Sequence, residues 1–345
     1  MRIVRKWKKR SCSFFFSTFS LDSDTEFLLL CFFRLPSSLQ SLVLSDFLSG
    51  LDDTEEDDRI QHMAPDPQTA GNIIFADSHA FFTTDGEIVT LIAGSLYTQS
   101  GFQEGSGIDA RFEKIKSFVT VNDSIIITAD AGNRCLILVD LATQETKHFS
   151  GLCGGSNETL TDGDSNTARF STPTSIQIDQ LYNIGQLLVM DDGVTIKWRS
   201  VEISTGTVTT VLEDQGVNDA LDFVQFPRYQ SLSVVILNQE GSNRLDTYNT
   251  ADGTTMSLPF DVGYSAKSIP IDASMHVGSV PGEDKIYIGN NDTYQICSGA
   301  QGDVNADLSS CQLNRPLALL IDNDTLFISV TNGIKRVESK SWQLV

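Results

Sequence analysis

Short apolar runs that stop on a polar residue recur along the chain: "IIFAD" ends at Asp77, "IIITAD" at Asp130, "LLVMD" at Asp191, "VVILN" at Asn238, "IYIGN" at Asn290 and "LFISVT" at Thr331, with Asn332 beside it. Each has the length and β-branched content of a strand buried on both faces, and each is too short for a helix. A turn and a second run follow, as in "AGNRCLILVD", "GVTIKWRSVE", "GSNRLDTYNT" and "NGIKRVESKS". Threonine- and valine-rich segments such as "GEIVTLIAG" and "GTVTTVLED" come next. Ahead of the runs lies another series, "ARFEKIKSFVTV" at 110–121, "ARFSTPTSIQID" at 168–179, "LDFVQFPRYQSL" at 221–232 and "CQLNRPLALLID" at 311–322. The repeating unit therefore reads strand, strand, strand, strand, at intervals of roughly 40 to 60 residues, the length of one propeller blade. A flat stack of such units would leave two open sheet edges, whereas a ring protects them. The pattern predicts an all-β fold, a six-bladed β-propeller of four-stranded antiparallel blades over residues 72–345.

How the ring closes is read from the segment before the first run. "FRLPSSLQSLVLSD" at 33–46 is similar to "FSTPTSIQIDQL", so residues 36–45 are expected to add an inner strand to the first blade. Within residues 36–71, "DDTEEDD" at 52–58 then reads as a solvated acidic loop. Residues 1–35 open with Arg2, Arg5, Lys6, Lys8, Lys9 and Arg10 and continue into "SCSFFFSTFSL", which has the polarity of a secretory signal. Asp22, Asp24 and Glu26 interrupt before "FLLLCFF", so no apolar stretch approaches the roughly 18 residues of a membrane span. No integral membrane segment is expected.

Composition sharpens this picture. The chain has 345 residues, 40% of them hydrophobic, which suffices for a packed core. Its net charge of -21, set against the basic opening, makes the remaining body more acidic still. Such a body repels phosphate backbones, so nucleic acid is not an expected partner.

The loop "TDGDSNTARF" at 161–170 tests the metal reading, because Asp162, Asp164 and Asn166 alternate like the first ligands of a calcium loop. That loop would need Gly where Thr167 stands and a closing carboxylate where Pro173 sits. Its Asp-Gly-Asp is therefore read as turn chemistry at a joint between two blades.

"LIAGSLYTQSGFQEGSGIDARF" at 91–112, "TADAGNRCLILVD" at 128–140 and "TDGDSNTARFSTPTSI" at 161–176 together resemble the NHL-repeat β-propeller family. They match its Gly-rich joint, then Ala-Arg-Phe, then Asp-x-x-Asn-Arg opening a third strand. Residues 90–200 carry the pattern well, and 215–345 carry only its rhythm. The Asn-His-Leu triplet is replaced by Asn133-Arg134-Cys135. An amidating lyase that shares this type of propeller uses a histidine zinc site, but His62 lies outside the expected blades and His79, His148 and His276 do not form a set. Calcium-dependent six-bladed lactonases place Glu, Asn and Asp ligands around a central tunnel. The strand-end residues Asp77, Asp130, Asp191, Asn238, Asn290 and Asn332 are oxygen ligands of that kind. They also suit strand-ending turns, so they are read as a central rim for ligand contact, with no metal assigned.

Six cysteines fall at 12, 31, 135, 153, 297 and 311. Cys135 opens a third strand and Cys153 follows the fourth, and Cys297 and Cys311 are read as the matching places in a later blade. The expected disulfides are Cys135–Cys153 and Cys297–Cys311, which imply an oxidising compartment. Asn122, Asn157, Asn291 and Asn323 each begin an Asn-x-Ser/Thr sequon at an expected turn. No phosphate-cradling loop, nucleophile elbow or Ser-His-Asp arrangement appears. The sequence thus points to a non-catalytic extracellular scaffold that binds a protein or glycan without a cofactor. Its alternative is a calcium-dependent lactonase or esterase.

Overall fold

The computed structural model describes residues 44–49, 59–95, 99–155, 160–179, 185–193, 195–213, 220–226, 231–237, 243–249, 255–259, 267–270, 276–280, 284–289, 293–297, 302, 304–306, 310–323 and 325–338. After β1 (Leu44–Ser49), a first sheet holds β2 (His62–Pro65), β3 (Ile73–Ala76), β4 (Ala80–Thr84) and β5 (Val89–Gly94). The short β6 (Gly105–Ser106) joins a second sheet of β7 (Ile115–Thr120), β8 (Ile125–Asp130), β9 (Cys135–Asp140) and β10 (Glu145–Ser150). The third sheet is β11 (Pro173–Ile178), β12 (Gln186–Asp191), β13 (Lys197–Glu202) and β14 (Val208–Glu213). The fourth is β15 (Ala220–Phe226), β16 (Ser231–Leu237), β17 (Asn243–Asn249) and β18 (Thr255–Pro259). The fifth is β19 (Lys267–Pro270), β20 (His276–Val280), β21 (Lys285–Gly289) and β22 (Thr293–Ile296). The last is β23 (Leu319–Asp322), β24 (Thr325–Val330) and β25 (Gly333–Glu338), with β1 on its edge. Every strand pair is antiparallel, and among the described residues the one helical turn is a 3₁₀ turn at Gly107–Asp109.

Five of the six apolar runs are second strands, whereas "IYIGN" is β21, the third strand of the fifth sheet, so Asn290 does not follow a second strand as the repeat predicted. In the first, second, third and last sheets the second strand is packed on both sides, so both of its faces are dry and its apolar residues do not alternate with polar ones. On β8, Ile126 packs toward the first sheet with Ile74, Phe81, Phe112 and Phe118, while Ile127 packs toward the third with Phe170, Ile176 and Leu187. On β3 the same period of two sends Ile74 one way and Ile73 and Phe75 the other, against Leu320, Phe327 and Ile334 of the last sheet. Phe81 meets the rings of Phe112 and Phe118 edge-on, with centroids at 5.4 and 5.2 Å. Outer strands pack on fewer neighbours, and Val89 and Val211 remain exposed.

First strands follow one another in order: β2 adjoins β7, β7 adjoins β11, β11 adjoins β15, β15 adjoins β19, β19 adjoins β23, and β23 adjoins β2. The first sheet begins at His62, ahead of residue 72, and residues 36–43 lie outside the described residues. Leu44 and Ser45 both belong to β1, which pairs with β25 from Leu44 opposite Val337 to Ser49 opposite Gly333. The similarity of 33–46 to an inner strand reflects alternation alone, which an outer strand shares. Leu48 enters the core, Phe47 meets Phe327 edge-on at 4.9 Å, and a Cβ on Gly333 would lie 2.1 Å from the Leu48 carbonyl oxygen. The acidic loop 52–58 and the leader 1–35 lie outside the described residues.

Both disulfides form as expected, Cys135–Cys153 and Cys297–Cys311. Their places, however, do not match. Cys135 begins the third strand of its sheet and Cys153 follows the fourth. Cys297 follows β22, the fourth strand, and Cys311 lies in the joint beyond it, so the second bridge ties one sheet to the approach of the next.

Candidate functional site

Ala110-Arg111-Phe112, Ala168-Arg169-Phe170 and Cys311-Gln312-Leu313 are three copies of one joint. Their first and third residues are buried in every copy, and the middle residue bridges back eight positions: Arg111 to Gln103, Arg169 to Thr161, and Gln312 to Val304. Before diving to the first strand, each joint that is fully described touches the outermost strand of the sheet it leads into. Gly105 pairs with Thr146 of β10, and Gly163 exchanges hydrogen bonds of 3.1 and 2.8 Å with Val208 of β14. The joint thereby covers a strand edge that would otherwise be open.

The polar residues of the joints serve this attachment. Asp162 accepts the Thr210 amide at 2.9 Å and the Thr210 hydroxyl at 2.8 Å, as Glu104 accepts the His148 amide at 2.8 Å. Asp162 also accepts Arg199 Nη2 at 2.9 Å, and Asn305 at the corresponding place accepts Lys335 Nζ at 3.0 Å. Asp164 closes its own turn on the amides of Asn166 and Thr167 and on the Thr167 hydroxyl. The Asp-Gly-Asp is thus a joint, and its carboxylates hold protein donors.

The same holds for the strand-end residues. Asp130 is buried at the end of β8, and its two oxygens accept the amides of Glu113 (3.1 Å), Lys114 (2.9 Å) and Asn133 (3.1 Å) and the Asn133 side-chain Nδ2 (2.7 Å). Burial pushes its pKa up, against the pull of those donors. Asp191 at the end of β12 accepts the amides of Ser171 (2.9 Å) and Thr172 (2.8 Å) and Nη1 of Arg199 (3.0 Å). Burial pushes Asp191 up to about 6, with the amides and the guanidinium opposing. Asp77 accepts the amides of His79 and Ala80, both at 2.7 Å. The register is marked by the next backbone amide, which reaches the joint from Ala131 to Lys114, from Asp192 to Thr172 and from Thr331 to Asn314. By that register Val330 takes the carboxylate's place in the last sheet, and Asn332 lies two residues further on, exposed in a turn. Asn238 and Asn290 lie outside the described residues.

A cation at Asp130 or Asp191 would compete with N–H donors that already point their positive ends at the carboxylate oxygens. Among the described residues no group of three or more His, Cys, Asp or Glu is placed to hold one. Sequence reasoning found the carboxylates but missed their partners. Arg199 is fully buried on β13, holds both Asp162 and Asp191, and lies 5.3 Å from the centre of the Phe170 ring. A lone arginine inside "IKWRSVE" was the available signal.

Of the four sequons, Asn122 and Asn323 are described, each exposed in the turn between the first and second strand of its sheet, and Asn157 and Asn291 are not. No helix among the described residues is long and apolar enough to cross a membrane.

No family model matches the chain, and no curated protein does. Solved structures do. An auxiliary nutrient binding protein from Bacteroides thetaiotaomicron is similar at a TM-score of 0.61 and 10% identity, over 87% of this chain and 77% of that one. A gluconolactonase from Xanthomonas campestris is similar at 0.58 and 10% identity, over 88% and 91%. Virginiamycin B lyase from Staphylococcus aureus is similar at 0.52 and 10% identity, over 86% and 99%. These are β-propeller proteins, and the likeness is one of fold.

Proposed function

We propose that the chain is a six-bladed, NHL-like β-propeller in an oxidising, extracellular setting that acts as a non-catalytic scaffold for a protein or glycan ligand. The carrying observation is that Asp130 and Asp191, two of the expected rim residues, have their oxygens engaged by protein donors that join the approach of each first strand to the end of the second. Six sheets, five of four strands and one of five, and the contact of β23 with β2 support the closed ring. Two disulfides support the compartment. The likeness to a nutrient binding protein is in keeping with capture of a ligand on the loops of a rigid scaffold.

The second reading, a calcium-dependent lactonase or esterase, is favoured by the likeness to a gluconolactonase. One experiment separates the two. Melting is followed with calcium and with a chelator while lactone and ester hydrolysis is assayed on the same sample. A scaffold shows no shift and no turnover. A calcium site at a hundredfold excess over its dissociation constant adds about 2.7 kcal/mol, and a shift of that kind with turnover lost in Asp130→Ala establishes the hydrolase. A glycan array and a pull-down on the folded protein then identify the ligand.

A further inference from the structure

Connections in an antiparallel meander alternate between the two ends of the sheet. The turn between second and third strands therefore shares one end with the joints, and the other two turns share the opposite end. Contacts agree. The Ile115 amide donates to the Ser78 carbonyl at 3.0 Å, and the Arg315 amide donates to Asp284 Oδ1 at 2.7 Å, each time seating a joint on the middle turn of the sheet before it. At the opposite end, the described turns and the strand ends beside them carry acidic residues such as Asp66, Asp85, Glu87, Asp140, Glu202 and Asp322, and none of those described positions is a Lys or Arg. Carboxylates of that kind stay hydrated, so an acceptor among them is reachable from solvent.

Both described sequons lie at this end. Asn122-Asp123-Ser124 forms the turn from β7 to β8, and Asn323 begins Asn-Asp-Thr between β23 and β24. Asn122 is exposed, and its Oδ1 accepts the amides of Ser124 at 2.8 Å and Ile125 at 2.9 Å, so the turn is held by the oxygen and not by Nδ2. Asn323 has φ +50° and donates Nδ2 to Asp322 Oδ1 at 3.1 Å.

We propose that Asn122 and Asn323 carry N-linked glycans, covering one end of the propeller with sugar and leaving the joint end bare for the ligand. The proposal rests on the export reading above. The donor is an oligosaccharide linked to a polyprenyl diphosphate. The Nδ2–C1 bond forms as the C1–O bond breaks, the lipid diphosphate leaves with the bonding electrons, and Nδ2 gives up one proton. One N–H remains on Nδ2, so Asn323 keeps its hydrogen bond to Asp322.

The full chain, secreted from eukaryotic cells, is treated with peptide N-glycosidase in ¹⁸O water, and the labelled sites are mapped together with the disulfides. Asn122→Asp keeps an oxygen acceptor for the turn amides, and Asn323→Asp tolerates the positive φ, so both variants remove the sequon and spare the fold. Label at both sites is expected, with the mobility of one glycan lost in each variant and of two in the double variant. Secreted, disulfide-bonded protein without label at either site overturns the proposal alone, as does label at Asn157, which falls in a joint. Protein retained in cells with free thiols at all four paired cysteines overturns this proposal and the export reading together.

Discussion

At Asp191, burial and pairing pull in opposite directions, and the balance sets how stability responds to acid. Its carboxyl titrates at about 6 in the folded chain, above the roughly 3.9 of an unfolded aspartate. Between those values the folded state binds more protons than the unfolded one, so this group adds stability as pH falls from above 6 toward 4, and adds nothing further below that. Asp130, also raised, acts in the same direction. Asp85, Asp164 and Glu202 are lowered by hydrogen bonds to their own turns; their contributions are in place above the unfolded carboxylate range and are lost only below about 4. Urea titrations between pH 7 and pH 5 are therefore expected to show a gain on the order of 1 kcal/mol that shrinks in Asp191→Asn. An unchanged gain in the variant would place the titration elsewhere. The positions of Asp130 and Asp191 were legible in the sequence, since each ends an apolar run. Their occupants were not, because the donors come from Glu113, Lys114, Ser171 and Thr172, well removed along the chain.

Among the elements, second strands were easiest to read. A strand buried on both faces has no polar residues to interrupt it, as in the Ile125–Asp130 run. Joints were legible as a rhythm, but their contact with the outer strand edge was not, since Gly163 pairs with Val208 through backbone groups that leave no mark on side-chain pattern. The cysteine pairs were legible, and the inequivalence of their places was hidden by the divergence of the later units. That inequivalence has a measurable consequence. Closing separations of 18 and 14 residues, each bridge contributes about 3 kcal/mol in the chain-entropy model. Cys135→Ser with Cys153→Ser is expected to lower hydrogen-exchange protection within the second sheet, chiefly β9 and β10. Cys297→Ser with Cys311→Ser is expected to lower it in β22 and β23, on both sides of a boundary between sheets. Equal local losses in the two variants would contradict the assignment.

For the whole molecule, the link between the two termini was the least legible feature. β1 and β25 pair with nearly the entire chain between them, and no local pattern distinguishes an outer strand on the last sheet from an extra strand on the first. Removing residues 1–49 would uncover the edge of β25 and the faces of Phe327 and Ile334 that meet Phe47 and Leu48. Such a chain is expected to self-associate and to lose exchange protection in β23, β24 and β25 first, which light scattering and exchange can follow. A monomeric truncation with full protection there would show that β1 is dispensable. The same pairing sets a clock on synthesis. β1 leaves the ribosome well before its partner Val337, and at about 5 to 20 residues per second the wait is roughly 15 to 60 s. Through that interval Phe47 and Leu48 have no partner strand, so a cell making this protein must shield β1 until synthesis delivers β25.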